Sequence, residues 1–312
     1  MNNNTVEQKT SELTEHYPVM LSETLAMLNV QDSKNYLDCT FGGGGHSRAI
    51  LKKADCKLVA IDQDIDAIAR AKDFEKEFQG RFTFYPINFS KLGETQTGRF
   101  AGVVMDLGVS SFQLNEAERG FSFMREGPTD MRMNRNQKLS ALDIVETFSL
   151  DELTRILREY GEEPRAYQVA KAIIAARGKH AMDNTLDLAK IISSAADKSK
   201  RINPATKSFQ GLRIAVNDEL KVLEESLPKI FDKLESKGKL AVITFHSLED
   251  RIVKRFFRKM CAMPLDAHDS TAQQNRIKLA ELETRKPIAA SESEINENPR
   301  SRSAKLRALT KL

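Results

Sequence analysis

The sequence predicts an α/β protein, a mostly parallel sheet with helices on both faces, interrupted by an all-helical insertion. Three observations carry that prediction. Short apolar runs alternate with amphipathic segments of helical period through the first third of the chain. Four consecutive glycines, Gly42 to Gly45, stand between the first of these runs and the next helical segment. From about Phe112 the alternation stops, and helical period alone continues to about Gln210. At 312 residues the chain is long enough for a full α/β core with such an insertion.

The elements follow in order. "PVMLSETLAMLNV" has helical spacing at Met20, Leu21, Leu25 and Leu28. "NYLDCTF", "KLVAID", "RFTFYPINF" and "AGVVMDLGV" are strand-like, and "DIDAIARAKDFEKEF" between the second and third is a clear helix with Ile65, Ile68, Ala69 and Phe74 on one stripe. The order through Gly108 is therefore βαβαβ(α)β, the pattern of a parallel sheet covered on both faces. A charged, methionine-rich stretch precedes four helical segments, "ALDIVETF", "LDELTRILREYG", "PRAYQVAKAIIAARG" and "NTLDLAKIISSAAD". Pro164 suits a helix start, and Gly161 and Gly178 suit ends. Residues 112–210 are thus expected to form the insertion, with 1–111 and 211–312 joining as one discontinuous domain. In that second part "GLRIAVNDELKVLEESLPKIFDKLESKG" reads as one long helix, "KLAVITFHS" as a buried strand and "LEDRIVKRFFRKM" as a helix. Ala262 to Arg285 shows no period, and "SAKLRAL" alternates as an edge strand would.

The glycines between a strand and a helix mark a site more than a linker, because a linker is polar on both flanks. Without Cβ atoms the backbone takes positive φ and admits a ligand closely. A phosphate-binding loop of the G-x-x-x-x-G-K-[ST] kind is absent. The dinucleotide pattern G-x-G-x-x-G fails as well, since Ser47 or Arg48 stands where the third glycine belongs. Asp62 ends the next strand in "LVAIDQD", where a carboxylate accepts the two hydroxyls of a ribose. A glycine turn and a ribose acid without a pyrophosphate pattern suit S-adenosylmethionine, although the residues alone leave a nicotinamide cofactor open, and Asp62 also fits a helix cap. Asp106 ends the fourth strand in "VVMDLGVSS", where polar side chains line the crevice of an open sheet. A carboxylate there can accept an N–H bond from an amine. Phe89, in "NFS" after the third strand, is placed to stack on an adenine.

Bulk properties narrow the class further. The polar start has no apolar leader and no run of apolar residues is long enough to span a bilayer, so a cytoplasmic protein with no membrane partner is expected. Cys39, Cys56 and Cys261 lie far apart and the histidines do not cluster, which argues against disulfides and metal. The net charge is +4, yet the segment Asn298 to Leu312 alone carries Arg300, Arg302, Lys305, Arg307 and Lys311 and no acid. Such a segment is either a nucleic-acid contact or a solvated tail.

Several longer blocks, among them "DCTFGGGGHS", "MDLGVSSFQLNEAERGFSFMREGPTDMRM", "NPATKSFQGLRIAVNDEL", "ITFHSLEDRIVKRFF" and "NPRSRSAKLRAL", stand in order from His16 to Arg307. Together they resemble the bacterial small-subunit ribosomal RNA cytosine-N4 methyltransferases. Cys39 and Phe112 depart from the pattern, which more often has Gly and Pro there, and Cys39 is expected to crowd the turn slightly. The resemblance implies a class I S-adenosylmethionine-dependent methyltransferase, Rossmann-like, with a helical insertion for its substrate, a cytosine in the decoding centre of 16S rRNA within the small ribosomal subunit. It places Gly44, Gly45, His46, Asp62, Phe89, Asp106 and Gln113 at the cofactor; His46 and Gln113 rest on it alone. Asp106 is the catalytic candidate. Phe112, Phe121 and Phe123 are candidates to receive the flipped base. His246 and Arg251 of "FHSLEDR", with Arg300 and Arg302 of the tail, are candidate RNA contacts.

Overall fold

The structure, a computed structural model, describes residues 18–95, 97–178, 180–197 and 203–312. His16 and Tyr17, where the resemblance begins, and the polar start before them lie outside the described residues. The first part of the chain runs α1 (Leu21–Leu28), β1 (Asn35–Asp38), α2 (Gly45–Lys53), β2 (Lys57–Ile61), α3 (Ala67–Glu77), β3 (Phe82–Tyr85) and β4 (Phe100–Asp106). A 3-10 stretch, Phe89–Glu94, takes the place of a helix between β3 and β4. After α4 (Ser111–Asn115) come α5 (Ala141–Thr147), α6 (Leu150–Glu159), α7 (Ala166–Ala176), α8 (Thr185–Ala195), α9 (Thr206–Asn217) and α10 (Glu219–Asp232). The chain closes with β5 (Leu234–Thr244), α11 (Ser247–Met260), β6 (Ala280–Leu282), β7 (Ile288–Ala289), α12 (Glu292–Glu297) and β8 (Lys305–Lys311).

The sheet has the order β3-β2-β1-β4-β5-β8-β6, with β7 also on β8. Its first five strands are parallel, and β8 runs antiparallel to β5. Alternation along each strand feeds two cores. Val104, Ala241, Ile243 and Leu306 face α1, α2 and α3 with Ile50 and Phe74. Val103, Met105, Leu240 and Val242 face α10 and α11 with Leu227 and Phe257. With both faces covered, these strands read as unbroken apolar runs.

A third core belongs to the helices. Ile144, Leu153, Ile156, Val169, Ile173, Leu188 and Ile192 pack with Phe209, Leu212 and Val216 of α9, so α9 carries apolar side chains into this core beyond residue 210. Serines set two of the helix starts: Ser140 and Ser149 each accept the N–H three residues on while Asp143 and Glu152 cap back.

Three expectations are corrected. The long helix predicted after Gly211 breaks at Asp218, whose φ of 51° separates α9 from α10. Its predicted end, "LESKG", is the start of β5 instead, with a register shift against β4 that Lys237 at φ 66° accommodates. β8 is no edge: β6 and β7 pair with its outer side. Those strands, three and two residues long, are too short to show a period.

Candidate active site

The chain leaves β1 outward through β2 and β3, then crosses back to β4 beside it, so strand order reverses between β1 and β4. Ligands bind at such a switch point, beyond the carboxyl ends of the strands. A cavity of about 360 Å³ opens there, within the size range of small-molecule sites.

Local chemistry builds its floor. Asp38, buried at the end of β1, accepts from Thr40 N at 3.0 Å and from Ser47 Oγ at 2.7 Å, tying the glycine turn to the first turn of α2. Thr40 Oγ1 accepts from Asp106 N at 2.7 Å, which joins the ends of β1 and β4. Cys39 sits in this frame with its N–H on Val104 O, and the turn forms around it. Gly44 turns the chain at φ 77°, and a Cβ there would lie 2.3 Å from the Phe74 ring. Gly44 therefore faces the apolar core and does not line the cavity; Gly42, Gly43 and Gly45 do.

Asp62 does line it. Its Oδ2 accepts from Gly42 N at 2.7 Å and its Oδ1 from Asp64 N at 2.8 Å, while α3 begins only at Ala67, with Asp66 at the N-cap position and no side-chain cap bond there. The helix-cap reading of Asp62 is thus set aside. Burial lifts its carboxyl to about 6, partly offset by these two N–H bonds. Each oxygen keeps a further lone pair for a hydroxyl. Phe89 lines the cavity at the start of the 3-10 stretch, beside Gln63 and Asn88, whose amides bond at 2.7 Å.

His46 and Asp106 form the centre. His46 Nε2 donates to Val19 O at 3.1 Å, leaving the lone pair on Nδ1, 3.7 Å from Asp106 Oδ2. Burial lowers His46 to about 4, so the ring is neutral near pH 7. Burial, then the nearby Asp38 and Glu249, raise the Asp106 carboxyl well above the usual range. Its Oδ1 is buried with no hydrogen-bond partner, while the side chain as a whole is 24% exposed and lines the cavity.

The opposite wall comes from the helical side. Arg213 grips Glu219 through two bonds of 2.8 and 2.9 Å. Glu249, 2 % exposed, accepts from Phe245 N at 2.8 Å and lies 3.1 Å from His246 Nε2. Glu219, His246 and Glu249 place their polar atoms within 4.8 Å of one another, with Arg213 balancing their charge. Asn217 bonds Met133 N and Met131 O at 2.8 Å each. Beneath both walls Arg119, 2 % exposed, binds Asp64 at 2.8 Å, Asp66 at 2.9 Å and the carbonyls of Arg132 and Met133 at 3.1 Å.

Of the residues singled out in the sequence, Gly45, His46, Asp62, Phe89, Asp106, Gln113 and Arg300 line the cavity. Gln113 is held by its own bonds: Oε1 accepts from Ser110 N at 2.9 Å and Nε2 donates to Asp64 at 2.8 Å. Arg300 reaches Asn115 Oδ1 at 2.9 Å. Phe112 lies outside, against Gly43 and under Arg70. Phe121 is buried in the helical core, and Phe123 packs edge-on against Phe209. His246 caps α11, whereas Arg251 and Arg302 are exposed and away from the lining. The sequence reading missed Gln63, Asn88, Met133, Arg213, Asn217 and Glu219, all of which line the cavity. No local signal groups Arg213, Asn217 and Glu219, since positions 217 and 219 fall about 200° apart on one continuous helix.

A parallel sheet closed by an antiparallel strand, with a glycine turn after β1, an acid after β2 and another ending β4, defines a class I, Rossmann-like methyltransferase. The chain matches the MraW methylase family over residues 13–312 and belongs to it. It is 44% identical to a protein of Rickettsia massiliae over 94% of this chain and 97% of that one. It is 46% identical to one of Carboxydothermus hydrogenoformans over 95% and 98%. Both relatives are named ribosomal RNA small subunit methyltransferase H. A solved rRNA methylase of Streptococcus thermophilus is similar over 94% of this chain and 92% of that one, at 10% identity and a TM-score of 0.42. Among the described residues no helix is long and apolar enough to cross a membrane.

Proposed function

We propose that this methyltransferase methylates N4 of a decoding-centre cytosine in 16S rRNA, with S-adenosylmethionine as donor and the small ribosomal subunit as partner. The observation that carries this reading is the Asp106 carboxyl, its side chain 24% exposed in a cavity that also holds the glycine turn and Asp62. The names of the relatives supply the kind of RNA.

The residues fit the cofactor. Asp62 would hold the ribose hydroxyls, Phe89 with Gln63 and Asn88 the adenine, and Gly43 and Gly45 the methionine end. When bound, S-adenosylmethionine supplies an electrophilic methyl group. The cytosine N4 lone pair is delocalised into the ring, so the protein's task is to hold that nitrogen in line and out of plane. Asp106 accepts one N–H of the amine and stabilises the positive charge that grows on it. The proton becomes acidic only as nitrogen is alkylated, and the raised affinity of Asp106 for a proton suits it to take that proton. Neutral His46, its one N–H committed to Val19 O, turns only the Nδ1 lone pair toward Asp106 and so packs beside that carboxyl without donating to it. The Arg213–Glu219 and His246–Glu249 pairs, satisfied by one another, form the rigid wall against which an entering base would lie, and we assign residues 112–210 to substrate recognition.

A methyl-transfer assay on small-subunit particles from a strain lacking the enzyme tests the proposal. One methyl group mapped to N4 of a decoding-centre cytosine is the expected result; transfer to another nucleotide, or to protein, overturns it.

A further inference from the structure

Outside the active-site cavity, α11 and β8 enclose with the segments around them a second, shallow cavity of about 30 Å³. Lys254, Arg258, Arg285 and Arg307 line it above Phe257 and Leu282, and no carboxylate does. Asp250 neutralises Arg307 at 2.7 Å. Arg258 donates through Nε to Pro264 O, which leaves its charge in place. Lys254 and Arg285 are exposed, and neither makes a hydrogen bond or ion pair with another described residue.

The acids nearby are committed elsewhere: Glu283 to Lys239 at 2.9 Å, Glu281 to Lys278 at 2.6 Å and Asp266 to Arg255 at 3.8 Å. Three cations therefore converge on one hollow without compensation, an arrangement that repels itself until an anion enters. Position favours a strand of nucleic acid. α11 begins at the active-site cavity, where Glu249 lines the wall. Lys254 and Arg258 follow roughly 8 and 14 Å along the helix axis. The basic tail offers less than its composition promised, because Arg307 is paired and Lys311 donates to the carbonyls of Phe231 at 3.0 Å and Leu234 at 3.0 Å.

We propose that Lys254, Arg258 and Arg285 form a phosphodiester-binding site for the RNA strand flanking the target cytosine, an inference that rests on the RNA-substrate reading above. Each phosphate contact releases counterions and steepens the salt dependence of binding.

The test measures affinity of the full chain for a 16S rRNA fragment containing the target cytosine, across a salt series. Lys254→Ala/Arg285→Ala is expected to flatten the slope of log K against log salt by about 1.4–1.8 relative to the parent, with S-adenosylmethionine affinity unchanged. Lys52→Ala/Lys53→Ala, at two exposed positions of α2, is the control that should keep the parent's slope. Equal slopes for the first variant and the parent, or equal flattening by the control, overturn the site. A parent protein that neither binds the fragment nor methylates small-subunit particles overturns the RNA reading itself, and that failure shows before any variant is made.

Discussion

The two walls of the active-site cavity are built on different principles. On the sheet side, polar groups stand at strand ends with capacity unused: Asp106 Oδ1 has no partner, and Asp62 holds its two N–H bonds with lone pairs to spare. On the helical side, polar groups are saturated by one another. Beneath it Arg119 makes four contacts with two carboxylates and two carbonyls, Asn217 ties α9 to one loop at Met131 and Met133, and Arg213 is locked to Glu219. The first wall is built to meet a ligand and the second to hold a frame. Substitutions should therefore divide cleanly, with stability lost on the helical side and binding or rate on the sheet side.

The largest effect is expected at Arg119. Removing one partner of a buried ion pair leaves the other charge stranded, at a cost of about 3–5 kcal/mol. Arg119→Met should lower the unfolding free energy by that amount in urea titration, because it strands Asp64 and frees the loop carrying Met133. A variant of near-parental stability that has lost transfer would mean that Arg119 belongs to the chemistry, and the contrast between the walls would fail.

Asp106→Ala should do the reverse. Loss of a preorganised electrostatic partner typically lowers turnover by about 10²–10³, while deletion of an acid with an unpartnered oxygen costs the fold little. Single-turnover rates at saturating cofactor decide the matter. Full rate at saturation, with weaker cofactor binding alone, would make Asp106 a binding residue.

Asp62→Ala removes a charged acceptor, worth about 1.5–3 kcal/mol of binding, so calorimetric titration should show S-adenosylmethionine affinity reduced by one to two orders of magnitude in a folded protein. Unchanged affinity would take the ribose away from Asp62.

The sheet wall was legible in the sequence and the helical wall was not, for a physical reason. In a parallel sheet, chain order fixes which strand ends meet, so glycines after β1, Asp62 after β2 and Asp106 at β4 could be brought together from their places in the sequence. Arg213, Asn217 and Glu219 reach the cavity only because α9 breaks at Asp218, and a left-handed residue that is not glycine gives no warning. Arg119 and Asp64 pair across 55 residues, a distance no local period spans. Phe121 and Phe123 misled in the opposite direction. Aromatic side chains suit a flipped base and an apolar core alike, and here the core takes Phe121 outright and packs Phe123 against Phe209. At Gly44 the missing Cβ makes room for Phe74, and the residue is absent from the cavity lining.

The smallest expected effect concerns the cost of keeping Asp62 ready. Its carboxyl sits at about 6 in the fold against 3.8 in its ordinary state, mainly through burial. Between those values the folded protein holds a proton that the unfolded chain has released, so Asp62 favours the fold at low pH and that contribution is lost as pH rises through about 6. His46 acts in the other direction: lowered from 6.5 to about 4 by burial, it favours the fold above 6.5 and withdraws that support as pH falls. The two windows overlap, so the parent's profile alone is ambiguous. The difference between the parent and Asp62→Asn isolates the carboxylate. From about pH 5 to about pH 7 the parent should lose roughly 1 kcal/mol relative to the variant, read as a relative fall of about 2–4 °C in melting temperature. Over the same interval the parent's affinity for S-adenosylmethionine should rise, because the ionised carboxylate is the better acceptor. Stability and affinity moving in opposite directions with pH, through one side chain, would mark Asp62 as a group kept at some expense for its ligand; parallel pH profiles of stability in parent and variant would place it with the saturated residues of the other wall.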